Sequence, residues 1–521
     1  MNILLLTLFL PLAGFFVLQF LPRNSKSAWP TALIFSIAAF IASLGLIGPA
    51  AAMPSQQSSA FDTLWVESLN IHFHLAVDGI NIWLILLTTL LVPIGIWISE
   101  SLIKDRNNTF YALILLFEFG VLGVFSAFDL FVFYVFWEVA LIPMYIMVGG
   151  WGGARRTYAA VKFFVFTMSG SVMMLASIIY IGVKAGGFDY AQILAAFNSG
   201  TVVLSSHEQL FLFLGFLVAF AVKVPIFPLH SWLPVTYWQA PAPATFLLAA
   251  VMSKMGAYGL LRFCTTLFPT AAHECAGWIA VLAIIGIVYG GLLAIVQVDL
   301  KKLVGYSSVS HLGFVVLGIF AFQQQGADGA LFQMIAHGLA TGALFVLVGY
   351  LEKRRESTAI EDYGGVAKLA PGLATAFMIA MLASVGLPAL GNFVGEYLIL
   401  QGAAYANFTW AAWAAVGVIL SIVYMLWMYQ RTFLGKPQQD IARFQDLSIK
   451  EWAPIVPLII MMVWLGCYTA PFLQPISAAN QHLLERSNMN IELKVRNHPP
   501  ANGTPGNSIL PAAFSEARNG R

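Results

Sequence analysis

Residues 221–230 read Ala-Val-Lys-Val-Pro-Ile-Phe-Pro-Leu-His, in the middle of an apolar run of membrane-spanning length. Two prolines remove backbone donors and clash with preceding carbonyls, so a helix must break there. Such a break at membrane depth is tolerated only inside protein or beside water. Residues 386–396, Gly-Leu-Pro-Ala-Leu-Gly-Asn-Phe-Val-Gly-Glu, again combine proline and glycine with an ionisable residue. The sequence therefore predicts two broken helices, one beside Lys223 and one beside Glu396.

The composition of the whole chain is that of a membrane protein. Of its 521 residues 59% are hydrophobic and only 10% are charged, and the mean hydropathy is +0.81. A soluble protein carries about 25% charged residues, which it needs to cover its surface. The composition therefore excludes a soluble enzyme, a nucleic-acid-binding protein and a disordered protein. The net charge of +2 points to no particular partner.

The sequence contains fourteen apolar runs that are long enough to cross a membrane, which takes roughly 20 residues. The first run has no basic start and is longer than the core of a signal peptide, which favours a span. We predict an all-α polytopic membrane protein with fourteen spans at residues 2–21, 30–48, 78–99, 109–127, 130–149, 159–183, 209–231, 241–263, 276–297, 302–322, 329–351, 371–402, 409–432 and 452–472.

The distribution of Lys and Arg predicts the orientation, because cytoplasmic loops of membrane proteins are enriched in both. The loops after spans 1, 3, 5, 9, 11 and 13 hold sixteen of these residues, whereas the alternate loops hold Lys184 alone, or two if Arg262 is counted. Both termini are therefore expected outside the cytoplasm, in a bacterial cell membrane. The sixteen are Arg23, Lys26, Lys104, Arg106, Arg155, Arg156, Lys301, Lys302, Lys353, Arg354, Arg355, Lys368, Arg431, Lys436, Arg443 and Lys450.

The two broken helices lie five spans apart, which predicts an internal repeat. Spans 4–8 and 9–13 form two five-helix units, each with its broken helix fourth, and an odd number of helices gives consecutive units opposite topology. The predicted organisation is 1–108 for spans 1–3, 109–264 and 275–432 for the two repeats, 433–472 for an inner loop and span 14, and 473–521 for a polar, disordered outer tail with a short helix near Ala478–Arg486.

Charged side chains inside these spans are the candidate functional residues. Each costs at least about 2.5–3.5 kcal/mol at a helix centre, and such residues usually face a protein interior or a wet cavity. At about 1.5 Å of rise per residue, most lie at a similar depth near the membrane midplane. The set comprises Glu118, Glu138, Lys162, Lys223, Lys254 and Glu396, together with His311 and His337.

Acids, lysines and histidines at one depth are what a lateral proton path needs. A Glu138–Lys223 pair would titrate as a coupled unit, because each partner changes the proton affinity of the other. The alternative is a set of static ion pairs that hold helices together. Lys162 lies near the inner Arg155–Arg156 loop and can extend its amine to the interface, and Glu118 is equally consistent with a protonated helix contact.

The three cysteines form no metal or redox motif, although a bridge between Cys264 and Cys275 is compatible with their positions beside one short loop. The sequence contains no CxxC, no HExxH, no glycine-rich phosphate loop and no haem signature. No cofactor or metal site is therefore expected in this chain.

At the residues described so far, the chain resembles the antiporter-like membrane subunits of respiratory complex I (NADH-quinone oxidoreductase), most closely the subunit M family (mitochondrial subunit 4). Glu396 favours subunit M, since subunits L and N and the multisubunit cation/proton antiporters usually have lysine there. The similar stretches are residues 74–80, 133–145, 158–164, 223–234, 253–259, 299–313, 337–339 and 395–398.

The resemblance implies a role for each candidate. Glu138 and Lys223 would be the carboxylate and lysine of the first repeat, Lys254 the lateral connection, and His311 and His337 the relay toward Glu396, the last group of the outer half-channel. It also implies that NADH, FMN, iron–sulfur clusters and quinone are bound by partner subunits, among them antiporter-like subunits of the L and N type. We also expect the chain to contact the lipid bilayer and to bind no nucleic acid.

One segment departs from the family pattern. After Pro234 the family usually continues Asp-Ala-His, whereas this chain has Val235-Thr-Tyr237, near the expected proton entrance. Two other functions remain open: a subunit of a multisubunit Na⁺(K⁺)/H⁺ antiporter or membrane-bound hydrogenase, and a structural subunit that has lost pumping. The first differs in its neighbouring genes, and the second rests only on this departure.

Overall fold

The computed structural model describes residues 2–22, 25–103, 105–436 and 444–497. Arg23, Lys104 and Arg443 of the predicted inner loops, and the predicted tail from residue 498 onward, lie outside the described residues. The described part contains thirteen helices that are long and apolar enough to cross a membrane. The predicted all-α polytopic membrane fold is confirmed.

The first third of the chain forms α1 to α8 and two small antiparallel sheets that join α3 to α4. Strand β1 pairs with β4, and β2 pairs with β3. The predicted outer loop at residues 49–77 therefore carries its own hydrogen-bonded structure. The elements are α1 Ile3–Phe20, α2 Ala28–Leu44, α3 Ile47–Ala52, β1 Ser58–Phe61, β2 Leu64–Val66, β3 Ile71–His72, β4 Leu75–Val77, α4 Ile82–Leu102, α5 Asn107–Ser126, α6 Leu130–Trp151, α7 Arg156–Ala185 and α8 Tyr190–Asn198.

The remainder of the described chain forms helices that are joined by irregular segments. Two π-helical turns, Leu248–Met252 and Leu260–Cys264, lie within the span that runs from Ala242 to Leu267. The elements are α9 Ser206–Lys223, α10 Leu233–Gln239, α11 Ala242–Leu247, α12 Ser253–Gly259, α13 Thr265–Leu267, α14 Pro269–Ile295, α15 Leu300–Phe320, α16 Gln324–Arg355, α17 Val366–Leu369, α18 Pro371–Val385, α19 Gly391–Ala406, α20 Phe408–Phe433, α21 Ile449–Cys467 and α22 Ala470–Asn497.

Both predicted helix breaks are present. Helix α9 ends at Lys223, and the chain becomes helical again only at Leu233. The predicted span 371–402 is divided into α18 and α19, with Gly386 in the left-handed conformation (φ +81°) between them. A glycine adopts this conformation without steric cost, whereas most other residues do not.

Two short backbone bridges repeat one arrangement at two places. Asp129 caps the start of α6 and pairs with Asp189, which follows α7. Asp299 caps the start of α15 and pairs with Ala359, which follows α16. In both cases the residue after the aspartate donates its backbone N–H across the bridge at 2.9 Å. The second helix of each predicted five-helix unit is therefore attached in the same way to the segment that follows the third helix.

The C-terminal region differs from the prediction of a disordered tail with one short helix. Helix α22 runs from Ala470 to Asn497 and packs against α13, α14 and α16. Its apolar side chains Ile476, Ala479 and Leu483 are buried, and their spacing is that of one helical face. These three apolar residues did not indicate a long helix in the sequence, because the segment around them is mostly polar.

Cys264 and Cys275 are both free and buried, so the bridge that the sequence allowed is absent.

Candidate functional site

Four candidate residues form a continuous row in the interior. Lys254, in α12, is fully buried, and its Nζ lies 2.9 Å from Nδ1 of His337 in α16. The same amine donates to the Ala249 carbonyl at 2.5 Å and to the Ser253 hydroxyl at 3.2 Å. Ala249 belongs to the π turn before α12, and π turns are frequent at functional sites. The amine of Lys254 is thus directed at an imidazole on a neighbouring span.

The row continues from His337 to Glu396. The rings of His337 and His311 have centroids 5.6 Å apart. Nδ1 of His311 lies 2.8 Å from Oε1 of Glu396, and both side chains are buried. Because an imidazole accepts a proton at one nitrogen and releases it from the other, two adjacent histidines between an amine and a carboxylate have relay geometry.

Two residues that sequence analysis did not single out complete the second half of the row. Gln333 donates from Nε2 to Oε1 of Glu396 at 3.0 Å. The hydroxyl of Tyr424 lies 3.4 Å from Nε2 of His311. Gln333 lies one helical turn before His337. A polar amide in an otherwise apolar span was the feature of the sequence that could have indicated it. Tyr424 gave no such signal, since tyrosine is common among the aromatic residues of membrane spans.

Glu138 and Lys223 do not form the direct pair that the sequence suggested. No ion pair within 4 Å joins them in the described part of the chain, and Nζ of Lys223 instead lies 4.6 Å from the centroid of the Trp137 ring. Lys223 is 1% exposed and its amine has no hydrogen-bond partner among the described residues. Trp137 adjoins Glu138 in the chain, so the aromatic ring that the amine contacts belongs to the residue next to the carboxylate.

The helix that ends at Lys223 packs closely against the helix that carries Lys254. Lys223 is the last residue of α9, directly before the irregular segment. Gly256 of α12 packs against it, because a Cβ at this glycine would lie 3.0 Å from Cβ of Lys223 and 2.8 Å from the Phe220 carbonyl. The absence of a side chain at Gly256 therefore permits the close approach of the two lysine-bearing elements.

The remaining two charged candidates stand apart from the row. Glu118 in α5 is fully buried, and neither carboxyl oxygen has a hydrogen-bond partner among the described residues. Lys162 in α7 is half-buried, with Nζ about 6 Å from the rings of Tyr158 and Phe166 (6.0 and 5.9 Å). Neither contacts the row formed by Lys254, His337, His311 and Glu396.

The segment that departs from the family pattern is part of α10. The Thr236 hydroxyl donates to the Trp232 carbonyl at 2.8 Å, and Tyr237 is fully buried against Phe345. Gln239 accepts the backbone N–H of Arg155 at 2.8 Å through Oε1. Side chains here bind within the protein, and none carries a charge.

On the face that bears the β-strands, His74 and Asp189 form a buried pair with Nδ1 and Oδ2 2.5 Å apart. Burial alone would lower the pKa of His74, but the hydrogen bond and charge of Asp189 outweigh it and raise that pKa. Burial would raise the pKa of Asp189, but the bond to His74 and the Gln192 backbone N–H lower it. The stabilisation is therefore lost as the pH rises through the pKa of His74 or falls through that of Asp189.

The chain matches a family model described as NADH:quinone oxidoreductase/Mrp antiporter, TM, over residues 127–423. It is 40% identical over 503 residues to NADH-quinone oxidoreductase subunit M of Rhodobacter capsulatus, covering 93% of this chain and 96% of the relative. It is 38% identical over 489 residues to the same subunit of Rickettsia bellii (strain RML369-C), covering 92% of this chain and 98% of the relative.

Among solved structures, a chain of the respiratory complex I from Thermus thermophilus with bound NADH superimposes with a TM-score of 0.85 at 31% identity. The match covers 93% of this chain and 99% of that one. The likeness thus covers nearly the whole chain, and the family match over residues 127–423 includes every residue of the buried row.

Proposed function

This chain belongs to the family of NADH-quinone oxidoreductase subunit M, and we propose that its buried row carries protons across the bacterial cell membrane. As a member, the chain is a multi-pass membrane subunit of a proton-translocating oxidoreductase. The observation that carries the proposal is the row of titratable groups Lys254, His337, His311 and Glu396. Contacts of 2.9 Å and 2.8 Å join the first and last pairs, and the two imidazole rings between them have centroids 5.6 Å apart.

Each step of the relay is a proton transfer between neighbouring groups. The ammonium of Lys254 transfers a proton to Nδ1 of His337 and becomes a neutral amine. The protonated Nδ1 then donates a hydrogen bond to that amine. Nε2 of His337 has no partner among the described residues, and it passes a proton through a water molecule toward Nε2 of His311. Nδ1 of His311 then protonates Glu396, and the imidazole returns to its neutral form.

Glu138 and Lys223 supply the start of the path. Because the amine of Lys223 lies over the Trp137 ring and not against a carboxylate, moving the ring or admitting water changes its interaction with Glu138. The proton then passes from Lys223 toward Lys254, and the close packing of their two elements at Gly256 supports this step. The entrance is expected to use water held near Thr236 and Tyr237, since these side chains do not carry charge near neutral pH.

The two five-helix units at 109–264 and 275–432 are proposed as inverted repeats. The matching bridges at Asp129 and Asp299, and the break at the fourth helix of each unit, support this organisation. The Lys and Arg distribution supports termini on the outer side, with the β-strands and His74 also outside.

The partners follow from the family. Other membrane subunits of complex I, including antiporter-like subunits of the L and N type, are proposed to contact this chain within the bilayer. NADH, FMN, iron–sulfur clusters and quinone are proposed to be bound by partner subunits, which release the redox energy that drives the relay. The antiporter or hydrogenase alternative is less favoured, since the relatives at 38–40% identity are subunit M proteins.

Replacement of Glu138 by glutamine tests the path without changing side-chain volume. We expect the purified assembly that contains Glu138→Gln to show strongly reduced proton uptake into vesicles per NADH oxidised, because glutamine does not titrate. Tyr145→Phe, at an exposed position on the same helix α6, is the matched control and should leave the ratio unchanged. Full pumping by an assembled Glu138→Gln complex would exclude Glu138 from the path.

A further inference from the structure

A second set of polar side chains, here called the polar stripe, begins at Lys254, the first residue of the buried row. Lys254, Tyr258, Arg262 and Thr266 occupy every fourth position of the span from Ala242 to Leu267, which is entirely buried. Residues four apart share one face of a helix. A polar stripe along a buried span is costly and calls for a function.

The π turn keeps this stripe together. In an α-helix every step of four residues rotates the face by about 40°, so four such residues would drift around the helix. The wider π turn at Leu260–Cys264 rotates the polar face in the opposite direction and so offsets part of this drift. Arg262 accordingly lies 5.5 Å from the Tyr258 ring, and its carbonyl accepts the Thr266 hydroxyl at 2.5 Å.

The stripe ends in a cavity of about 620 Å³ on the face that bears the β-strands. The lining includes Asp78, Asn198, Arg262, Thr266 and His482. Lys254 and Arg262 are eight residues apart, or roughly 12 Å at the rise of an α-helix. A short polar route thus connects Lys254 with the cavity on the face that bears the β-strands.

Arg262 stands where the route meets the cavity. It is 6% exposed, and its terminal nitrogen donates to Oδ2 of Asp78 at 2.5 Å, whereas Nε has no partner among the described residues. Asp78 is itself held, because its other oxygen accepts the backbone N–H groups of Ile80 and Asn81 at 3.0 and 3.1 Å. The guanidinium is therefore a fixed positive charge with an unused donor.

We propose that Arg262, paired with Asp78, is a barrier that prevents protons from leaking between this cavity and Lys254. A guanidinium keeps its protons at any accessible pH and cannot pass one on, and its ion pair with Asp78 occupies the point where the route meets the cavity. Arginine at a constriction excludes protons from water-conducting pores by the same principle. The role rests on the proposed function, since a barrier is needed only if Lys254 carries protons.

Passive proton permeability tests this role directly. The complete assembly is reconstituted into vesicles without NADH, and a pH step is applied across the membrane while an internal dye records the pH. Arg262→Gln should raise the inward proton flux about tenfold or more, because the ion pair with Asp78 that closes the route is lost. Arg262→Lys should leak less than Arg262→Gln, and Asn198→Ala, which alters the cavity lining alone, should stay tight.

A double variant separates a leak along the stripe from general loosening. Adding Tyr258→Phe to Arg262→Gln removes the hydroxyl between Lys254 and the cavity, and the leak should fall again. A leak that persists unchanged in the double variant would overturn the proposed route, and a tight assembled Arg262→Gln would overturn the barrier. Arg262→His, which can lose its charge near neutral pH, takes its place if Arg262→Gln does not assemble.

Glu138→Gln, measured in parallel, keeps the two proposals distinct. If Glu138→Gln stops pumping while Arg262→Gln stays tight, the barrier fails and the proton path stands. If Glu138→Gln pumps fully, the proton path fails, whatever the permeability of Arg262→Gln.

Discussion

Glu396→Gln is the sharpest perturbation of the second half of the proton row. Oε1 of Glu396 lies 2.8 Å from Nδ1 of His311 and accepts Nε2 of Gln333 at 3.0 Å. These partners are side chains of two other spans, so the carboxylate does more than satisfy backbone groups freed by the helix break. Glutamine has nearly the same shape but neither accepts a proton nor carries a charge.

The size of the effect on His311 follows from its hydrogen bond to Glu396. A hydrogen bond to a charged group contributes about 1.5–3 kcal/mol and a neutral one about 0.5–1.5 kcal/mol. Losing the charge at this bond therefore costs about 1–1.5 kcal/mol of the free energy that holds a transferred proton on His311. At about 1.4 kcal/mol per factor of ten, the occupancy of that intermediate falls roughly 5- to 12-fold.

The assay is proton uptake by vesicles that contain the purified assembly, divided by the NADH oxidised. We expect a lower ratio for Glu396→Gln and incomplete recovery for Glu396→Lys, because the site would then alternate between neutral and positive instead of negative and neutral. Tyr397→Phe, at the neighbouring exposed position, is the control and should pump normally. A wild-type ratio for an assembled Glu396→Gln complex would refute the role of Glu396 as the last group of the path.

Three further predictions follow from the same structure. Lys223→Ala should abolish or strongly reduce pumping, and Lys223→Arg should be intermediate at best because arginine does not release its proton; normal pumping by the arginine variant would make Lys223 a fixed counter-charge. His74→Gln should lower the opening free energy of the β-strands by about 1.5–3 kcal/mol near neutral pH, measured by hydrogen exchange. Since the pKa of His74 is raised, this difference should shrink as the pH rises through it, and equal exchange at all pH values would contradict the ionic pair. In a Cys467→Ser background, a cysteine at exposed Gln56 should react with an impermeant thiol reagent from outside and one at exposed Lys436 should not, whereas reversed labelling would overturn the orientation.

Much of the fold was predictable because a bilayer imposes simple rules on sequence. The apolar runs and the proline and glycine breaks after Lys223 and before Glu396 predicted the helices and their interruptions. The polar segment from residue 470 to 497 was misread, because three apolar residues on one face are outweighed by their polar neighbours in any average. The two π turns around Lys254 had no signal in the sequence, since they differ from α-helix only in which carbonyl accepts each N–H.

The sequence by itself determined which side chains are titratable at membrane depth, because only chemistry and distance along a span are needed for that. It did not determine which of them touch. Lys254 meets His337 and His311 meets Glu396, yet the amine of Lys223 lies over the Trp137 ring and not against Glu138. The pairing of Asp78 with Arg262, far apart in the chain, was equally invisible. Contacts between spans depend on how helices rotate and approach, and in a chain apolar on every face the hydrophobic pattern leaves that rotation undetermined, so only tertiary packing decides it.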